Sequence, residues 1–344
     1  MSYNKAEQRI RELKKQNGLM VIGITGSYGK TTTKNFMNHI LSEKFIVLST
    51  ERSINTPYAI SNIILTKLTP QHKFLIVEMG AYRRGEIEEL CTIAQPDIGI
   101  ITGISNQHLA LFGSQENIIK GKSELLIALP NGADAYINNE TEYQPNIPKN
   151  KNLNIIAYSV KSVPIELTKT LTELSIPKYL ITNIIPALLI GLKQGIDVKT
   201  IQASLKKLTS IPGRMSTSKG RGGVTLVNDS YSANEQGVMA ALEELCSRPQ
   251  KNKVVVMPCL IELGEEAHRI HEKIGEFLKD RRIHALITTK DYFSDIQKGA
   301  RGWESVRFAP SVKQAVEDVD EFLSKDTIIL IEGRVSKKII DHLQ

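Results

Sequence analysis

The segment GITGSYGKTTTK, Gly23 to Lys34, constrains this chain more than any other. An apolar run, LMVIGIT from Leu19 to Thr25, leads into it, and a helix-like stretch, KTTTKNFMNHILSEK, follows. A strand that stops at glycines and restarts as a helix is the local build of a phosphate-binding loop. Gly26 and Gly29 let backbone N–H groups turn inward round phosphate oxygens, Lys30 brings a mobile positive charge, and Thr31 brings a hydroxyl for magnesium. The strict pattern asks for glycine at position 24, where this chain has Ile24; its first glycine is Gly23. Gly26, Ser27, Gly29, Lys30, Thr31 and Thr32 are the candidate contacts to nucleotide phosphates.

Further strand candidates follow at Phe45 to Thr50, Lys73 to Gly80, Asp97 to Ile104 and Ala133 to Asn138, with helical patterns between them. Strands alternating with helices predict a doubly wound, mostly parallel sheet. From Tyr143 to Lys178 the chain turns rich in Pro and Asn, which reads as an irregular edge of this domain. A second alternation begins after IPGRM, with strands VTLVND, KVVVMP, HALITT and TIILIEG and helices ANEQGVMAALEEL and EEAHRIHEKIGEFL. The expected organisation is a leading basic helix over 1–20, a phosphate-loop α/β domain over 21–211, and a smaller Rossmann-like α/β domain over 212–344. There is no internal repeat.

With 344 residues, 41% of them hydrophobic and 24% charged, the chain is long enough for two cores and too apolar for extensive disorder. No run approaches the roughly eighteen uncharged residues of a membrane span, and the start, MSYNKAEQRIRELKKQNG, has no signal-peptide core, so a cytoplasmic protein is expected. Cys91, Cys246 and Cys259 lack any CxxC spacing and read as free thiols. A net charge of +7 is spread along the chain without a nucleic-acid motif, so anionic phosphorylated ligands are expected and nucleic acid is not. The first twenty residues carry Lys5, Arg9, Arg11, Lys14 and Lys15 against Glu7 and Glu12, with Ile10 and Leu13 between. A solvated helix is the preferred reading; contact with a membrane surface stays open.

The TGxxGKT form of the loop is the one carried by the Mur ligases, and the resemblance extends along most of the chain. VEMGAYRRGEI (Val77 to Ile87) resembles the family segment that supplies a magnesium ligand, which falls on Glu78. QHLALFGSQENIIKGKSEL (Gln107 to Leu125) resembles the stretch with a metal-site histidine, here His108, and a lysine that several members carbamylate, here Lys122. ITNIIPALLIGLKQGID (Ile181 to Asp197) resembles a helix whose asparagine contacts adenine, here Asn183. IPGRM brings Arg214, which in the family reaches the ATP phosphates. VNDSYSANEQGVMAALEEL (Val227 to Leu245) aligns Asp229 with a ribose-binding acid and places Tyr231 near the nucleotide. LIELGEEAHRIH (Leu260 to His271) resembles a further family segment, with His268 and His271 expected on a solvated helix face.

The resemblance implies an ATP- and Mg2+-dependent amide-bond ligase, with Lys30, His108, Lys122 and Arg214 catalytic and Thr31, Glu78, His108 and Lys122 at the metal. In that chemistry a substrate carboxylate attacks the γ-phosphate, and the acyl phosphate so formed is taken by an amine. Two anions must meet, so magnesium and Lys30 have to neutralise oxygens. The branch most resembled adds D-alanyl-D-alanine to a peptidoglycan precursor. Usual members carry a further N-terminal domain that grips UDP, whereas residues 1–20 alone precede the strand here. Three readings stay open at this point: a lipid-linked precursor as acceptor, a partner that supplies the UDP-binding element, or a sequence that is part of a longer chain. Two alternatives remain open: a related ligase acting on another acid, and a nucleotide-binding subunit without turnover.

Overall fold

The computed structural model describes residues 2–51, 55–105, 109–173, 178–208, 216–230, 234–261 and 263–344. The chain divides into two compact units, Met1–Leu208 and Thr209–Gln344. The first holds a six-stranded sheet of β1 (Met20–Thr25), β2 (Val47–Ser49), β3 (Phe74–Glu78), β4 (Ile98–Ile101), β5 (Asp134–Asn138) and β6 (Asn154–Tyr158). Its order is β2-β3-β1-β4-β5-β6, and every pair is parallel. β3, β4 and β5 are buried along their whole length, and the apolar runs FLIV of β3 and IGII of β4 are what a sheet covered on both faces requires. The chain places β2 and β3 on one side of β1 and β4 to β6 on the other. That reversal opens a crevice at the carboxyl ends of β1 and β4, where ligands of open α/β sheets bind.

β6 and the helix Ile165–Glu173 lie inside the segment expected to be irregular. β6 is an edge strand with Asn154, Ile155 and Ala157 exposed, so burial imposes no apolar pattern on it.

The helix Ser2–Asn17 differs from the solvated helix expected of its charges. Ala6, Ile10 and Leu13, spaced four and three apart, are buried in the first unit's core and face the helices Pro57–Thr66 and Glu86–Ala94. Lys14 donates to Asp97 Oδ1 at 2.6 Å and to the Gln95 carbonyl, while Asp97 Oδ2 accepts from the N–H of Val21 at 2.8 Å. The apolar stripe is used in the core rather than left for a membrane surface. No helix among the described residues is long and apolar enough to cross a membrane.

The second unit holds β7 (Ser216–Lys219), β8 (Thr225–Asp229), β9 (Asn252–Met257), β10 (His284–Ile287), β11 (Val306–Phe308) and β12 (Thr327–Glu332), ordered β11-β10-β9-β12-β8-β7. Only β7 runs antiparallel to its neighbour. β7 and β11 went unread in the sequence because both are short edge strands with exposed positions.

His268 is exposed as expected, but His271 is completely buried. The Leu260 N–H donates to His271 Nε2 at 2.9 Å, so Nδ1 carries the proton and donates to the Ala267 carbonyl at 2.6 Å. Tyr292 stacks on the ring at 4.6 Å. Burial, more than any neighbouring charge, holds the imidazole below its ordinary pKa, so the folded state favours the neutral ring. The unfolded chain binds the proton more readily; this contribution to stability is present above about pH 6.5 and lost as pH falls through the lowered folded value. Thermal unfolding at pH 7 and at pH 5 should show a drop on acidification. His271→Gln should cost about 1–3 kcal/mol at pH 7 and remove part of that drop. An unchanged pH profile in the variant would assign the acid sensitivity to other groups.

Candidate functional site

The loop between β1 and the helix Lys30–Leu41 sits at the sheet's crevice and is held by the segment after β4. Gly26 has φ 149°, and a Cβ there would lie 2.3 Å from Thr102 Oγ1 and 2.9 Å from the Gly103 carbonyl oxygen. Gly29, with φ 80°, precedes the helix, and a Cβ on it would fall 2.4 Å from Asn183 Oδ1. Neither position admits a side chain. The Ser27 N–H donates to the Gly103 carbonyl at 2.7 Å, and its hydroxyl accepts from the Ser105 N–H at 3.1 Å. The Thr102 hydroxyl donates to the carbonyls of Thr25 and Tyr28, and Asn138 on β5 holds the Thr102 carbonyl at 2.7 Å. Three adjacent strands thus shape the loop before any ligand arrives.

Lys30 folds back over the loop and donates to the carbonyls of Gly26 at 2.8 Å and Ser27 at 3.2 Å. One residue on, the Thr31 hydroxyl lies 2.9 Å from both carboxylate oxygens of Glu78, at the end of β3. Lys34, one helical turn further, places Nζ 3.0 Å from Glu78 Oε2, with both side chains almost wholly buried. The Thr32 hydroxyl is buried and has no hydrogen-bond partner among the described residues. Glu78 and Thr31 are hard oxygen donors side by side, a donor pair that suits magnesium.

Lys122, on the helix Gln115–Ala128, is buried, whereas its neighbour Lys120 pairs with Glu116 at 2.5 Å on the surface. Its Nζ donates to the Ala81 carbonyl at 3.2 Å and lies 5.3 Å from the centre of the Phe112 ring. Burial first, and the charge of Lys30 second, bring its pKa down to about 7. A substantial neutral fraction therefore exists near neutral pH, and only a neutral amine adds carbon dioxide.

Residues 24–183 match the Mur ligase middle domain, and residues 213–335 match the domain described as Mur ligase, glutamate ligase domain. A protein of Rickettsia prowazekii (strain Madrid E) named UDP-N-acetylmuramoyl-tripeptide--D-alanyl-D-alanine ligase is 30% identical over 370 residues, spanning 98% of this chain and 81% of that protein. The chain belongs to the Mur ligase family. Its Escherichia coli (strain K12) relative of the same name is 25% identical, with 78% of this chain and 64% of that protein covered. MurF from Acinetobacter baumannii superposes with a TM-score of 0.82 at 21% identity, covering 99% of this chain and 80% of that one, and so shares the fold.

Within this Mur ligase, Asn183 is buried on the helix Lys178–Lys193 with its side chain against Gly29. Asp229, also buried, ends β8 and stands in register with Glu332 at the end of β12. His108, Arg214 and Tyr231 lie outside the described residues. Lys34 was not singled out from the sequence, although a signal existed. Lys34, Met37 and Leu41 share one buried face of the helix, and a lysine on such a face requires a counter-charge. Glu78, closing the apolar strand FLIVE, is the matching acid.

Proposed function

We propose that this Mur ligase uses ATP to join D-alanyl-D-alanine to the peptide carboxylate of UDP-N-acetylmuramoyl-tripeptide, through an acyl phosphate. The observation that carries the reading is the phosphate loop at the β1–β4 crevice, with Thr31 set directly against Glu78. Backbone N–H groups at the start of the helix Lys30–Leu41 face the phosphates, and Lys30 leaves the loop carbonyls to meet the terminal phosphate. Thr31 and Glu78 would hold magnesium, which would supply the positive charge that lets a carboxylate approach the γ-phosphate. The carboxylate oxygen bonds to phosphorus as ADP departs; the amine then attacks the carbonyl carbon, loses its proton, and inorganic phosphate leaves.

Lys122 contributes as a carbamate in this reading. Its buried ammonium first gives up one proton, as a pKa of about 7 allows; the neutral amine then bonds to the carbon of carbon dioxide and releases a second proton, leaving an anionic oxygen donor where a cation stood. Asn183 is assigned to adenine, Asp229 and Tyr231 to the nucleoside, Arg214 to the phosphates and His108 to the metal. Removal of dissolved carbon dioxide should lower turnover and added bicarbonate should restore it, while Lys122→Ala should be nearly inactive under both conditions. Turnover indifferent to bicarbonate would reject the carbamate.

The deciding experiment is phosphate release from ATP and magnesium by the whole chain, with the tripeptide nucleotide and D-alanyl-D-alanine added singly and together. Release that requires both, with a ligated product by mass, is expected. Release that requires a lipid-linked or other acid instead moves the substrate assignment, and no release with any acid and amine overturns the ligase reading.

A further inference from the structure

The contact between Lys34 and Glu78 has a consequence for the order in which ligands enter. Glu78 is the carboxylate to which the proposed function assigns magnesium, yet a buried ammonium already stands 3.0 Å from its Oε2. The geometry is built in: Thr31 and Lys34 are one helical turn apart on the same helix, and both reach the one carboxylate at the end of β3. A pair this deeply buried has little water to screen it, so the lysine charge opposes any second cation that approaches the same oxygens.

We propose that Lys34 is a positioning residue that keeps the Glu78 site weak for a divalent cation on its own, so that the cation binds only together with the phosphates of the nucleotide. Lys34 contacts Oε2, and the Thr31 hydroxyl is equidistant from both oxygens, so a cation held by Thr31 and Glu78 has to share the carboxylate with Lys34. A bare dication adds two positive charges to a site already holding Lys34. Nucleotide phosphates arriving on the loop reverse that balance, and the cation then gains phosphate oxygens as well as Glu78. This inference rests on the reading of the loop as a nucleotide site, but its decisive measurement is made without nucleotide.

The test uses the full chain and manganese alone as a spectroscopically visible dication, with free manganese followed by electron paramagnetic resonance. The wild-type chain should bind manganese weakly, and a non-hydrolysable ATP analogue should tighten that binding at least about tenfold. Lys34→Met should bind manganese without nucleotide at least about tenfold more tightly than wild type, the scale of losing a unit charge a few ångströms away. Lys34→Arg should stay near wild type, and adding Glu78→Gln to Lys34→Met should abolish the gain. A lysine with only a structural role would lower the melting temperature without tightening manganese binding. If Lys34→Met does not fold, Lys34→Gln, which keeps an N–H donor on Glu78, decides by the same criterion.

Unchanged or weaker nucleotide-free binding in the folded neutral variant overturns the proposal, as does a wild-type affinity left unaltered by an analogue that calorimetry shows to be bound. Binding of the analogue is followed separately by calorimetry. Its absence would sink the nucleotide reading while the nucleotide-free comparison still judges Lys34.

Discussion

Lys30→Ala should reduce ATP-dependent turnover by at least about 10²–10³-fold, the scale of losing one charge-stabilising donor from a reacting centre. In the free protein the Lys30 ammonium is held by the Gly26 and Ser27 carbonyls, within the loop proposed to receive the phosphates. Gly26 and Ser27 are buried and Lys30 is half-buried, so the melting temperature should also fall, on the scale of one or two lost hydrogen bonds, about 1–3 kcal/mol. Lys30→Arg should rescue poorly, because a planar fork does not reproduce a compact ammonium within the tight turn set by Gly26 and Gly29. Phosphate release under saturating substrates, beside a thermal melt of each variant, separates the two effects. Wild-type turnover in Lys30→Ala would remove the loop from the mechanism.

Glu78→Ala carries the largest expected effect on stability, about 3–5 kcal/mol, because it takes the carboxylate away from the almost wholly buried Lys34 ammonium. Spread over a unit of this size, that is a fall of about 6–20 °C in the melting temperature of the first unit. The pair is not thereby a net stabiliser. Replacing both partners, Glu78→Met with Lys34→Met, should recover most of the lost stability while leaving the chain inactive, since two buried charges have gone but so has the cation's carboxylate. Strictly additive losses in the double variant would mean that the two side chains are not coupled.

Much of this site was readable residue by residue. Gly26, Gly29, Lys30 and Thr31 fall within six successive positions, 26 to 31, and the chemistry of a phosphate loop is local, so a linear pattern carries it. Glu78 was reachable from its place at the end of an apolar strand together with the family resemblance. The alternation of strands and helices likewise announced two α/β units, because a fully buried parallel strand has to be apolar along its length, as FLIVE and IGII are.

Other features are invisible in one dimension because they depend on what a side chain meets. The helix Ser2–Asn17 has a basic sequence, but three apolar residues suffice to bury one stripe while its lysines and arginines point away or cap the sheet. His271 lies on a helix rich in charge, and only the passage of the Leu260 backbone beside its ring makes it a buried acceptor. β6, β7 and β11 are edge strands, and an edge need not carry the period that marks a buried strand.

The sequence by itself determined the phosphate loop, the alternation that makes a parallel sheet, the family and most of the residues proposed for nucleotide and metal. Only the tertiary structure decided the electrostatics of those residues. Lys34 and Glu78 are 44 positions apart, 78 − 34, and become one buried pair only because β3 lies beside β1. Lys122 and Lys120 are the same residue type two positions apart, yet one titrates near 7 in the interior and the other pairs with Glu116 at the surface. Residue type sets which charges a chain can carry; packing sets the dielectric around them and the partners within reach, and so decides which of those charges persist.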